Sequence, residues 1–131
     1  MNKIVLDASV LLAILNGEPG AEKFTRESGL LESATMSSVN VAESYSKLVG
    51  SGIDPDDAWE AVTAPIPEIV EFDTNQAELT GRLIAMTRSA GLSLGDRACL
   101  ALAISLKAPV YTADRAWKNL KVGVAVHVIR R

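Results

Sequence analysis

A chain of 131 residues, 48% hydrophobic and only 5% aromatic, is long enough to bury one core and too short to divide into two domains. Its net charge is −3, no apolar run reaches the roughly 18 residues that suggest a membrane-spanning helix, and Met1-Asn2-Lys3 leads straight into a strand pattern instead of a signal peptide. A cytoplasmic domain with no membrane association is therefore expected. Cys99 is the sole cysteine, which excludes an intrachain disulfide, and its apolar surroundings from Ala98 to Ile104 make it a buried small hydrophobe.

Apolar runs of strand length alternate with longer helical patterns, the signature of βα units on a mostly parallel sheet of about five strands flanked by helices. The first strand covers 3–6 and closes at Asp7; helices follow over 8–15 and 19–29, with Gly17 between them. A strand at 34–36 leads into a helix over 38–50, on which Asn40, Glu43 and Lys47 share one face. Asp54-Pro55 opens a helix over 55–63, and the stiff Ala64-Pro65-Ile66-Pro67 bend precedes a strand at 69–72. Asp73 opens a helix over 74–90 that Gly91 stops. Residues 94–107 are apolar nearly all round, which predicts a buried helix with Asp96 in its first turn. A strand at 109–112 leads to Asp114 and a short helix over 115–119, and a last strand at 124–129 carries the only histidine, His127. Residues 1–131 thus read as one α/β domain.

Charge is unevenly distributed. Residues 1–81 carry 4 basic and 14 acidic side chains, whereas residues 82–131 carry 9 basic and 2 acidic ones, Asp96 and Asp114. A surface supplied with Arg82, Arg88, Arg97, Lys107, Arg115, Lys118, Lys121, Arg130 and Arg131 could hold a phosphate backbone despite the acidic total, although solvated helix faces explain the same charges.

Four acids, Asp7, Glu43, Asp96 and Asp114, fall at element boundaries or on a helix face that could point inward. Each has a structural explanation by itself. Asp7 and Asp114 can cap the helices that follow them; Ser93 and Asp96 approximate a capping box; Glu43 can pair with Lys47 four residues on. In a parallel sheet, however, strand ends and helix starts meet on one edge, where ligands bind. Carboxylates about 5 Å apart repel by roughly 3 kcal/mol per pair even at an effective dielectric of 20, so convergence requires raised pKa values or bound cations. Oxygen ligands without His or Cys select Mg²⁺ or Mn²⁺. One histidine, in a strand pattern, gives no support to a Ser-His-Asp or Cys-His mechanism.

Four segments carry a family resemblance: Asp7-Ala8-Ser9, Asn40-Val41-Ala42-Glu43, Gly91 to Asp96, and Thr112 to Trp117. In this order and spacing they resemble PIN-domain nucleases, and within them the VapC-type toxins of toxin-antitoxin pairs, over essentially the whole chain. The resemblance implies a central parallel sheet, an acidic pocket for Mg²⁺ or Mn²⁺, and hydrolysis of RNA phosphodiester bonds leaving 5′-phosphate and 3′-hydroxyl ends. Asp7, Glu43, Asp96 and Asp114 match the four acidic positions, and Ser9 and Thr112 the hydroxyl positions beside them. Ser9, Asn40 and Thr112, together with Arg97 and Arg115 beside two of the acids, are the candidate RNA contacts. A cognate antitoxin and a homodimer are the implied partners. Val10, Leu11, Ile14, Leu15, Phe24, Leu30, Leu31, Tyr45 and Leu48 exceed what one side of a thin sheet should need and suggest a groove for an antitoxin helix.

Two other readings stand beside this one. The chain could be a catalytically silent PIN fold that serves as a binding module, its carboxylates kept as caps. Alternatively, Asp7 after the first strand could be the nucleophile of a phosphoryl-transfer domain, but the chain has Ser9 where such domains place a second acid, and no glycine-rich phosphate loop.

Overall fold

Ile4, Val5 and Leu6 are fully or almost fully buried and form β1 (Ile4–Leu6), the middle strand of the sheet. The computed structural model describes residues 2–27 and 29–129. On either side of β1 lie β2 (Ala34–Ser37) and β4 (Val110–Thr112), with β3 (Glu68–Val70) and β5 (Val126–Val128) at the edges, giving the order β3-β2-β1-β4-β5. All four pairings are parallel. Chain order runs outward one way from β1 to β3 and the other way from β4 to β5, so the sheet reverses direction between β1 and β4, the place where open α/β sheets open a crevice at their carboxyl ends.

Among the described residues six helices connect the strands: α1 (Ala8–Leu15), α2 (Pro19–Arg26), α3 (Ser38–Gly50), α4 (Pro55–Thr63), α5 (Thr74–Thr87) and α6 (Leu94–Leu106). Their starts follow local chemistry. Asp54 accepts from the amides of Asp56 and Asp57, Asp73 accepts from that of Gln76, and Ser93 and Asp96 complete a reciprocal capping box. The expected strands and six of the seven expected helices are present, most with shifted ends. β3 begins at Glu68 and stops at Val70, β5 is shorter than expected, and α5 gives way after Thr87 to a 3₁₀ turn over Arg88–Ala90. α2 ends at Arg26, and Ser28 of the expected longer helix lies outside the described residues. The segment after Asp114 is a single 3₁₀ turn, Arg115–Trp117.

Strand alternation divides the core. Val5 and Val110 face α6, Leu100 and Trp117, whereas Leu6, Tyr111 and Met36 face Leu11 and Phe24 on the other side. The surplus apolar residues of the early helices gather around one cluster. Val10, Leu11 and Phe24 are buried, and Ile14, Leu15, Leu30, Leu31, Tyr45 and Leu48 pack against the same cluster. The latter six stay partly exposed on the surface of the early helices. The most exposed large apolar side chains stand elsewhere, at Trp59, Met86 and Leu94. Cys99 is fully buried on α6, and burial pushes its thiol well above the ordinary range, as an inert core residue requires.

Candidate active site at the sheet switch point

Asp7 follows β1 on the α6 side of the sheet and is only 3% exposed. Its backbone carbonyl accepts from the Val10 amide as a helix cap should, but its side chain makes no capping bond. Instead, Oδ2 accepts from the Ser9 hydroxyl at 2.6 Å and from the Thr112 hydroxyl at 3.1 Å. Each hydroxyl is oriented by a backbone amide it accepts: Ala113 N–H for Ser9 and Asp114 N–H for Thr112. Their protons are left to point at Asp7. Burial pushes the Asp7 carboxyl up to about 6; the Ser9 and Thr112 bonds oppose the rise, and the negative charges of Asp96 and Glu43 add to it. Of the other three candidate acids, Asp96 and Glu43 contribute to this rise and Asp114 does not.

Glu43 reaches the site from α3. Its carboxylate is held by the Asn40 side-chain amide, which donates to Oε1 at 3.1 Å, and no ion pair joins it to Lys47 among the described residues. Asp96 stands in the first turn of α6, where its Oδ2 accepts from the Ser93 amide at 3.0 Å; its Oδ1 takes no hydrogen bond among the described residues. Asp114 is placed differently. It is exposed, its Oδ1 caps the following turn by accepting from Ala116 N–H at 2.9 Å, and it lines an open cleft of about 540 Å³ together with Ser9, Ala113 and Arg115. Among the described residues, no three His, Cys, Asp or Glu side chains form a ready-made metal cage.

Residues 4–123 match the PIN domain family. The chain belongs to the PIN-domain family. By sequence, no curated protein matches it. Among solved structures it is similar to FitAcB from Neisseria gonorrhoeae, with a TM-score of 0.74 and 20% identity over 96% of this chain and 97% of that one. It is also similar to DNA-bound VapBC from Salmonella typhimurium, at 0.71 and 20% over 98% and 99%. A third likeness is to VapC20 of Mycobacterium tuberculosis, a sarcin-ricin loop cleaving toxin, at 0.71 and 15% over 94% and 99%. PIN domains as a family are nucleases that generally use divalent metal ions.

Within this PIN domain the two arginines have different settings. The Arg97 guanidinium turns away from Asp96: Nε donates to the Thr87 hydroxyl at 2.9 Å and Nη1 to the Leu92 carbonyl at 3.0 Å, tying α6 to the end of α5. Arg115 is exposed in the cleft beside Asp114. Arg130 and Arg131 lie outside the described residues. His127 is an exposed β5 residue, stacked on Tyr111 with ring centroids 4.7 Å apart. Sequence reasoning missed Gly95 as a site residue. A Cβ there would stand 2.7–2.8 Å from the Glu43 carboxylate atoms, so only glycine lets that group lie against α6. The available signal was a glycine in the first turn of an otherwise apolar helix, where it costs roughly 0.5–1 kcal/mol relative to alanine. No single described helix is long and apolar enough to cross a membrane.

Proposed function

We propose that this PIN domain is a metal-dependent endoribonuclease acting in the cytoplasm as the toxin of a toxin-antitoxin pair. The observation that carries the reading is Asp7: a buried carboxylate at the switch point, held by two hydroxyls instead of capping its helix, with Asp96 and Glu43 close enough to raise its pKa. The donor chemistry fits a hard cation. Carboxylate oxygens dominate the site, and the buried Asn40 Oδ1 beside them has no protein partner. Asp7 and Asp96 would hold Mg²⁺ or Mn²⁺, with Glu43 and Asp114 completing the set directly or through water. When bound, the cation supplies neutralisation of phosphate charge and activation of water for attack.

The chain's own groups do the rest. Ser9 and Thr112 fix the Asp7 carboxylate, so no reorganisation is needed when substrate arrives. Arg115 provides a cation at the rim of the cleft for a phosphate of the RNA backbone. The antitoxin reading is supported by the VapBC and FitAcB structures, and RNA as substrate by the sarcin-ricin loop cleaving toxin, all similar in fold. A homodimer is proposed from the resemblance of the sequence motifs to VapC-type toxins alone. The decisive experiment incubates purified chain with RNA and Mg²⁺ or Mn²⁺. Cleavage is expected with either cation, lost with chelator and lost in Asp7→Asn; metal-independent cleavage, or none by the wild type, would sink the reading.

One observation favours a catalytically silent PIN module. Asp96 and Asp114 both serve as caps, and no three acids form a ready-made cage. A silent module should show no thermal shift with Mn²⁺, whereas a site at 100 times its dissociation constant adds about 2.7 kcal/mol.

A further inference from the structure

We propose that Asn40 is the positioning residue of this site: its buried amide seats the Glu43 carboxylate against the first turn of α6 and thereby fixes Glu43 and Asp96 relative to Asp7. Asn40 is fully buried on α3, and one nitrogen, Nδ2, serves acceptors on two elements. It donates to Glu43 Oε1 at 3.1 Å within its own helix and to the Gly95 carbonyl at 3.0 Å, 55 residues away. Gly95 completes the seat by having no side chain, since any Cβ would fall within 2.8 Å of all three carboxylate atoms. The Glu43 carboxylate therefore lies beside the amino-terminal turn of α6, where the helix dipole favours negative charge. Asp96 is the next residue after Gly95, so the same amide nitrogen that orients Glu43 through one bond holds the turn carrying Asp96 through the other.

Residue chemistry narrows what can do this. Two donors on one neutral nitrogen are needed, facing a carboxylate and a carbonyl. Aspartate would oppose acceptors with acceptors, alanine and serine cannot reach both, and glutamine is one methylene too long for the same seat. Asn40 thus acts through Glu43 rather than on RNA, which reassigns it from the substrate contacts suggested by the sequence pattern. The proposal rests on the reading of Asp7, Asp96 and Glu43 as cation-holding groups.

The test measures Mn²⁺ affinity of the purified chain by electron paramagnetic resonance, together with RNA cleavage, for Asn40→Ala and Gly95→Ala in wild-type and Glu43→Gln backgrounds. Gly95→Ala probes the seat without unfolding the protein. Alanine favours the helix, and the group its methyl displaces is the far end of a flexible side chain. Each substitution is expected to weaken Mn²⁺ binding and slow cleavage by about 10-fold, as loss of groups that orient metal ligands does. With Glu43→Gln already present, the further loss should be under about 2-fold, because effects routed through one residue do not add. Tm should hold or rise for Gly95→Ala. Equal factors in both backgrounds, or unchanged affinity in the wild-type background, would overturn the proposal, as would absence of Mn²⁺ binding by the wild type. If the wild type binds Mn²⁺ but cleaves no RNA, the nuclease reading fails and the affinity factors alone decide for or against Asn40.

Discussion

The Thr112 hydroxyl donates to Asp7 Oδ2 at 3.1 Å across 105 residues of sequence, and the Asp114 amide in turn donates to the same hydroxyl at 3.1 Å. One oxygen thus links the end of β1 to the end of β4 at the point where the sheet reverses. Thr112→Val preserves shape but removes this link, leaving a backbone amide and a buried carboxylate each short of a partner. Destabilisation of about 1–3 kcal/mol is expected, with a large loss of RNA cleavage, and Thr112→Ser should recover most of both. Full activity of the valine variant would remove Thr112 from the site.

Asp7 makes stability depend on pH. Its folded pKa of about 6 lies above the ordinary 3.8, so the folded state binds the extra proton. The favourable contribution is fully present below about pH 4 and is lost as pH rises through 6. At neutral pH the charged carboxylate costs up to about 3 kcal/mol, taking roughly 1.4 kcal/mol per unit. Asp7→Asn should accordingly unfold at higher temperature than the metal-free wild type at pH 7.5 while losing cleavage. Melting curves from pH 4 to 8 check this; a wild type whose Tm rises across that window relative to the variant would contradict the assignment.

Asp96 and Asp114 should separate on substitution. Asp96→Asn keeps a side-chain oxygen for the Ser93 amide, so stability should change by less than about 1 kcal/mol, while metal-dependent cleavage falls by two orders of magnitude or more. Asp114 is exposed and absent from the charges that raise Asp7, so Asp114→Asn should lose less. Mn²⁺ titrations of both variants would show the difference; equal losses would place Asp114 in the inner set.

The two arginines also divide. Arg115→Ala should weaken RNA binding and flatten its dependence on salt by a little under about one unit of slope, with Tm unchanged. Arg97→Ala should do the reverse, lowering stability by roughly 1–3 kcal/mol through the lost charged hydrogen bonds to Thr87 and Leu92. Binding isotherms at three salt concentrations and a melt decide between these roles.

Much of this protein is written locally. The βα alternation, the position of Asp7 after the first strand, the caps at Asp54, Asp73 and Ser93, and the burial of Cys99 follow from period and from chemistry reaching three residues along the chain, which a linear reading contains. Glu43 shows where that reading ends: Lys47 is its neighbour on the helix face, yet its partner is Asn40, because packing of α3 on α6 brings Gly95 against the carboxylate and encloses it. Asp7 had a sound local role as a cap and takes its bonds from Ser9 and Thr112 instead. Arg97 stands next to Asp96 in sequence and turns from it toward Thr87. In each case the amino acids set what bonds a side chain can make, and the approach of distant elements decided which were made, since a buried polar group must take the partner that packing leaves within reach.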